Sequence, residues 1–266
     1  MHLITLRPAL ASALAITLAA ALAACSSGEG EEKAAAPAYR AEQYSSAVND
    51  IARPEADRET DATRKPGELL AFAQIDRGET VGDYIMGGGY VTRLLAMAVG
   101  SQGKVYAFQP QEFIAFRPEY ATEQDEAVAP YPERVVAMRG PIAAPPFPEP
   151  LDTVITVMNL HDLFADGMPE GTPQKAITEL YGALKPGGTL VVVDHGAAEG
   201  AGVEAASTLH RMDRQVALDA LTQAGFVLEE ESDLYAQPAD PRSANVFDEA
   251  VRGRTHQFAL RLRKPA

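Results

Sequence analysis

From residue 79 onward, short apolar runs alternate with longer segments in which apolar residues recur every three to four positions. Runs of four to eight residues rich in β-branched and aromatic side chains read as buried strands, and apolar positions at helical spacing read as helices. Strands are expected at residues 80–85, 104–108, 134–138, 152–158, 189–194, 226–231 and 256–263, with helices at 90–99, 111–116, 173–184 and 213–224. Two earlier helices are expected at 41–52, with Tyr44, Val48 and Ile51 on one face, and at 66–72, with Leu69, Leu70 and Phe72 apolar. Strand and helix alternating at this interval predict an α/β fold, a three-layer sandwich whose seven-stranded, mostly parallel sheet is covered on both faces. The last two strands have no helix between them, only a polar loop at 234–251, so the last is expected to run antiparallel. Residues 130–150 hold seven prolines and are expected to be irregular around the strand inside them.

The amino-terminal pattern is of another kind. A single Arg7 precedes an apolar run at 9–24, too short for a comfortable transmembrane helix and matching a secretory signal. Leu22-Ala23-Ala24-Cys25-Ser26 ends it, and Cys25 is the only cysteine. The segment resembles the lipobox of bacterial lipoproteins, which implies cleavage before Cys25 and acylation of that residue. The expected organisation is a signal peptide at 1–24, a flexible polar tether at 25–38 and one domain at 39–266. Ser26 rather than Asp after the cysteine points to the outer membrane, facing the periplasm.

Charge narrows the partners. The formal net charge is −14, and removing residues 1–24 makes it one unit more negative. Such a surface repels phosphate backbones, so no nucleic-acid partner is expected. With Cys25 lipidated no thiol remains for a disulfide or a Cys-rich metal site, and stability rests on a packed core.

Between the first strand and its helix lies Val81-Gly82-Asp83-Tyr84-Ile85-Met86-Gly87-Gly88-Gly89-Tyr90. Glycines permit a tight turn and close approach of a ligand, and the helix start behind them offers free N–H groups. The turn fits a nucleotide-like ligand or a packing requirement. This turn, with Gly103-Lys104-Val105-Tyr106-Ala107-Phe108, Leu151-Asp152-Thr153-Val154-Ile155-Thr156, Leu184-Lys185-Pro186-Gly187-Gly188-Thr189-Leu190 and Ala224-Gly225-Phe226, closely resembles class I S-adenosylmethionine-dependent methyltransferases. Arg64-Lys65-Pro66, Asp194-His195, Leu209-His210-Arg211-Met212-Asp213 and Ala239-Asp240-Pro241-Arg242 further resemble a bacterial group of predicted methyltransferases, many with export signals.

The resemblance implies S-adenosylmethionine as cofactor, bound at the carboxyl ends of the first, second and fourth strands. Asp83 matches the acid of the first motif, and Gly87 and Gly89 match its later glycines, with Gly88 between them. Ile85 departs from the usual first glycine. Gln109 stands where an acid normally grips the ribose hydroxyls, retaining hydrogen bonding without charge.

Asn159-Leu160-His161-Asp162 follows the fourth strand, where such enzymes place acceptor-facing residues. Asn159, His161 and Asp162 are the expected catalytic set, with His161 as the base at an ordinary pKa near 6.5. His195, His210 and Arg211 are expected to touch a small-molecule substrate, Arg211 and Arg242 being possible anion clamps. Asp213 reads more simply as a helix N-cap. The three histidines with Asp162 and Asp194 suit a metal such as zinc, but no short spacing favours this and no metal is expected. The leading expectation is a membrane-anchored methyltransferase acting on a small molecule; the alternative is a non-catalytic ligand-binding or scaffolding lipoprotein of the same fold.

Overall fold

A computed structural model describes residues 39–266; the expected signal peptide, tether and Cys25 lie outside the described residues. Seven strands form one sheet: β1 (Thr80–Tyr84), β2 (Lys104–Pro110), β3 (Val135–Gly140), β4 (Leu151–Val157), β5 (Leu184–His195), β6 (Val227–Ser232) and β7 (Gln257–Arg263). Their order across the sheet is β3-β2-β1-β4-β5-β7-β6. The neighbours from β3 to β5 pair in parallel, while β7 runs against both β5 and β6, as the missing crossover helix requires.

Alternation along the strands sends side chains to two cores. Val105 and Ala107 on β2 and Val191 and Val193 on β5 pack on one face with Leu94 and Leu95. Tyr106, Phe108, Leu190 and Val192 join Ile177 and Leu221 on the other. The principal helices are α1 (Pro66–Ala73), α2 (Tyr90–Ala98), α3 (Gln111–Phe116), α4 (Glu119–Val128), α5 (Thr172–Ala183), α6 (Glu204–Leu209) and α7 (Arg214–Gln223). Asp213 caps α7, its carboxylate accepting from the Gln215 N–H at 2.9 Å.

The helix expected at 41–52 is instead a short 3₁₀ turn, Ala41–Tyr44, followed by one α-turn, Ser45–Val48. Tyr44 is buried but Ile51 is exposed, so the apolar stripe does not continue. Two further short helices, Glu55–Glu59 and Asp61–Arg64, precede α1. This segment is tied to the loop before β7: the Tyr235 hydroxyl donates to the Arg64 carbonyl at 2.7 Å, and the Lys65 ammonium to the Leu234 carbonyl at 2.6 Å. Both pieces meet above the carboxyl edge of β1 and β4, where the strand order reverses and open sheets leave a crevice.

Candidate active site

That crevice is a cavity of about 880 Å³. The β1 turn forms one wall. Asp83 is buried at the end of β1 and accepts from the Thr92 hydroxyl at 2.5 Å. Burial raises its pKa to about 6 against the opposing effect of Thr92, Arg64 and Arg93. The turn is braced from behind: Arg93 forks onto the Asp57 carboxylate at 2.7 and 2.9 Å and donates to the Gly88 carbonyl at 2.9 Å. Gly87 has φ +55° with open space where a Cβ would stand, so its backbone is presented directly to the cavity. Gly89 lies outside the lining; a Cβ there would meet Ala127 at 2.4 Å, so its role is packing.

The β2 end differs from expectation. Gln109 is fully buried, does not line the cavity, and neither amide atom has a partner. Its place on the wall is taken by Glu112 and Phe113 in the first turn of α3, with the Glu112 carboxylate held by the Ile142 N–H at 2.9 Å. An acid therefore does reach this corner, three residues later than the alignment of motifs suggested.

Asn159, His161 and Asp162 after β4 line the opposite side with His195 and His210. The Asn159 amide donates to the Ile85 and Val157 carbonyls, which ties the ends of β1 and β4 together. Asp194, at the end of β5 and wholly buried, organises the histidines. It accepts from the His161 N–H at 2.7 Å, bonds His161 Nδ1 at 2.8 Å, and accepts from the His195 N–H at 2.8 Å. His161 Nε2 lies 3.7 Å from Asp162 Oδ1. His210 closes the rim, its ring edge-on to His161 at 5.7 Å between centroids and packed on Phe247.

Burial opposes a charge on His161, but Asp194 outweighs it and raises the pKa to about 9, well above the ordinary value expected of this residue. Burial drives His195 the other way, to about 4. Asp194 thus favours the charged form of His161, while burial favours the neutral form of His195.

Two expected contacts are absent. Arg211 is completely buried away from the cavity, where its guanidinium forks onto Asp240 at 2.8 and 3.0 Å and donates to the Gly196 and Ala244 carbonyls. It is a structural clamp, not a substrate contact. Arg242 meets the His256 ring outside this cavity. Conversely, Arg64, in the Arg64-Lys65-Pro66 segment before α1, is a cavity residue that its sequence position does not reveal. Its guanidinium lies 3.9 Å over the Tyr90 ring on the cavity wall and, among the described residues, has no carboxylate partner. Arg53, Arg93, Arg211 and Arg261, the arginines buried most deeply, each have one.

The backbone is strained here. Ile85, Met158 and His210 line the cavity and are three of the six non-glycine residues with positive φ among those described. Ile85 holds φ +63° where the resembled motif carries glycine, so the turn keeps a glycine-like backbone beneath a buried β-branched side chain.

No known protein family's sequence model matches the chain. Among solved structures it is similar to an S-adenosylmethionine-dependent methyltransferase from Aquifex aeolicus, at 20% identity and TM-score 0.56 over 80% of this chain and 98% of that one. It is similar to an arsenic(III) S-adenosylmethionine methyltransferase from Chlamydomonas reinhardtii, at 15% identity and TM-score 0.52 over 84% and 73%. The [4+2]-cyclase SpnF matches at 22% identity and TM-score 0.52 over 79% and 81%, so the shared architecture also carries a cyclase. From its strand order, its antiparallel last strand and these neighbours, the chain has the Rossmann-like fold of the class I S-adenosylmethionine-dependent methyltransferases.

Proposed function

We propose that the protein binds S-adenosylmethionine in this cavity and transfers its methyl group to a small-molecule nucleophile. The observation that carries the reading is the continuity of one cavity from the glycine turn after β1, past Glu112 and Phe113, to the His161 rim after β4. The residues fit the donor's chemistry. Asp83 suits the donor's ammonium, the Arg64 guanidinium its carboxylate, Glu112 its ribose hydroxyls, and Phe113 a flat apolar ring. When bound, the donor supplies an electrophilic methyl group on a sulfonium. The chain supplies position and electrostatics: Gly87 admits the donor backbone-close, acids at both ends of the cavity favour a cationic ligand, and His161, Asp162 and Asn159 face the acceptor.

The chain is further proposed to be an exported lipoprotein held on the outer membrane through acylated Cys25. The lipobox-like Leu22-Ala23-Ala24-Cys25 and the absence of any other cysteine support this.

Ultraviolet photolabelling with methyl-tritiated S-adenosylmethionine tests the donor site. Label is expected in the full chain, chased by excess S-adenosylhomocysteine and reduced about tenfold by Arg64→Met. Label that excess S-adenosylhomocysteine leaves in place would contradict the reading. Donor binding with no transfer to any acceptor would favour the non-catalytic, ligand-binding alternative.

A further inference from the structure

We infer that His161, Asp162 and His210 form a three-ligand site for one divalent transition-metal cation at the acceptor end of the cavity. One donor atom from each residue lies within 4.8 Å of the others. All three side chains face the same cavity, so a cation held there keeps open positions toward whatever the cavity contains. Donors around such an ion stand about 3.3 Å apart, given metal–ligand distances of roughly 2.0–2.2 Å. Small rotations of Asp162 and His210, which are less buried than His161, close the difference.

Proximity alone does not carry the inference; the support behind His161 does. Ligating histidines typically give their other ring nitrogen to a carboxylate or a carbonyl, which fixes the tautomer and aims the free nitrogen. Asp194 does this for His161. It has no exposure, holds Nδ1 at 2.8 Å, and holds the backbone N–H of the same residue at 2.7 Å. Nε2 is thereby committed to the cavity side, next to Asp162, and a cation binding there displaces the Nε2 proton to solvent. His195, whose Nδ1 bonds the Thr255 hydroxyl at 2.8 Å, lies outside the set because the donor atoms that come within 4.8 Å of one another are those of His161, Asp162 and His210. His210 presents its ring nearly perpendicular to His161, stacked edge-on against Phe247, and its αL backbone at the end of α6 sets that direction.

Two imidazoles and one carboxylate select the cation class. Nitrogen ligands suit Zn²⁺, Co²⁺, Ni²⁺ or Fe²⁺, whereas Mg²⁺ and Ca²⁺ take oxygen sets. The cation's task in methyl transfer rests on the reading above: its open positions would orient an acceptor hydroxyl and lower that hydroxyl's pKa. Its binding does not depend on that reading.

The test uses the full chain in detergent, without a histidine tag, stripped with chelator and titrated with Co²⁺ and Zn²⁺ in the absence of donor. One equivalent is expected to bind, with visible Co²⁺ absorption bands of a low-coordinate nitrogen-oxygen site that Zn²⁺ bleaches. His210→Ala and Asp162→Asn each lower affinity 10–100-fold, and Asp194→Asn, which among the three proposed ligands touches only His161, lowers it about tenfold with a shifted Co²⁺ spectrum. His256→Ala, at a histidine outside the cavity, leaves affinity unchanged. His210→Ala and Asp162→Asn alter partly exposed residues, so the test does not depend on the buried pair remaining folded. Absence of a stoichiometric site, or equal affinity in the His210 and Asp162 variants, overturns the inference. Metal binding without donor binding would leave it standing while removing the methyltransferase reading.

Discussion

At the scale of single residues, the cavity is set by environment more than by residue type. Asp83 is an acid in a buried pocket, with a pKa of about 6, flanked by the Arg64 and Arg93 cations and the Thr92 hydroxyl. In the proposed site a donor ammonium pairs with its ionised form. Lowering the pH protonates Asp83 and removes that partner, so the Asp83 contribution to donor affinity is present above its pKa and is lost as pH drops through about 6. The expected loss between pH 7 and pH 5 is about tenfold in Kd by calorimetry. Asp162, raised to about 6 by burial, titrates in the same range at the other end of the cavity, so Asp83→Asn shallows the profile and weakens binding at pH 7; a profile identical in wild type and Asp83→Asn would remove Asp83 from the donor site. The same dependence on surroundings explains where sequence reasoning fell short. The acid at Asp83 was legible because it sits beside the glycines, but the displacement of Gln109 by Glu112 was not, because which residue at a strand end turns toward a ligand depends on the start of α3. The pKa of His161 was out of reach for the same reason: Asp194 is 33 residues away in sequence and in direct contact in space.

At the scale of elements, every expected strand forms, within a few residues of its expected limits, as do the helices after β1, β2 and β4 and the one before β6. These segments carry strong period-two or helical patterning. What escaped was the short or polar helices: Glu55–Glu59, Asp61–Arg64, α4 and α6. Helix α4 reads Glu-Tyr-Ala-Thr-Glu-Gln-Asp-Glu-Ala-Val and buries only Gln124 and Ala127 fully, so it shows little apolar stripe. Gln124 instead fastens it to the sheet, donating to the Ala107 and Met138 carbonyls. Arg211 illustrates an element-scale role mistaken for a site role. Its fork joins the end of α6 to the loop carrying Asp240 and to the strand end at Gly196. Removing one partner of a fully buried pair strands the other, so Arg211→Ala is expected to cost about 3–5 kcal/mol in urea unfolding. A substrate contact at this position would leave stability near wild type and raise KM; that outcome would restore the expectation drawn from sequence.

At the scale of the whole molecule, residues 39–266 form one compact unit, with one cavity wall drawn from residues up to Tyr120 and the other from Val157 onward. The segment before α1 and the loop before β7 close over the sheet edge together, held by Tyr235 and Lys65. The proposed anchor is independent of this architecture. Cys25→Ser is expected to move the protein from the membrane fraction to the soluble fraction and abolish labelling by an alkyne fatty acid; retention on the membrane with no acyl label would remove Cys25 as the tether. The central proposal, that the cavity binds S-adenosylmethionine, is tested by a single measurement. Isothermal titration of the full chain with S-adenosylmethionine and S-adenosylhomocysteine is expected to give one site per chain with micromolar affinity for both. No detectable heat from either at millimolar concentration would contradict the account.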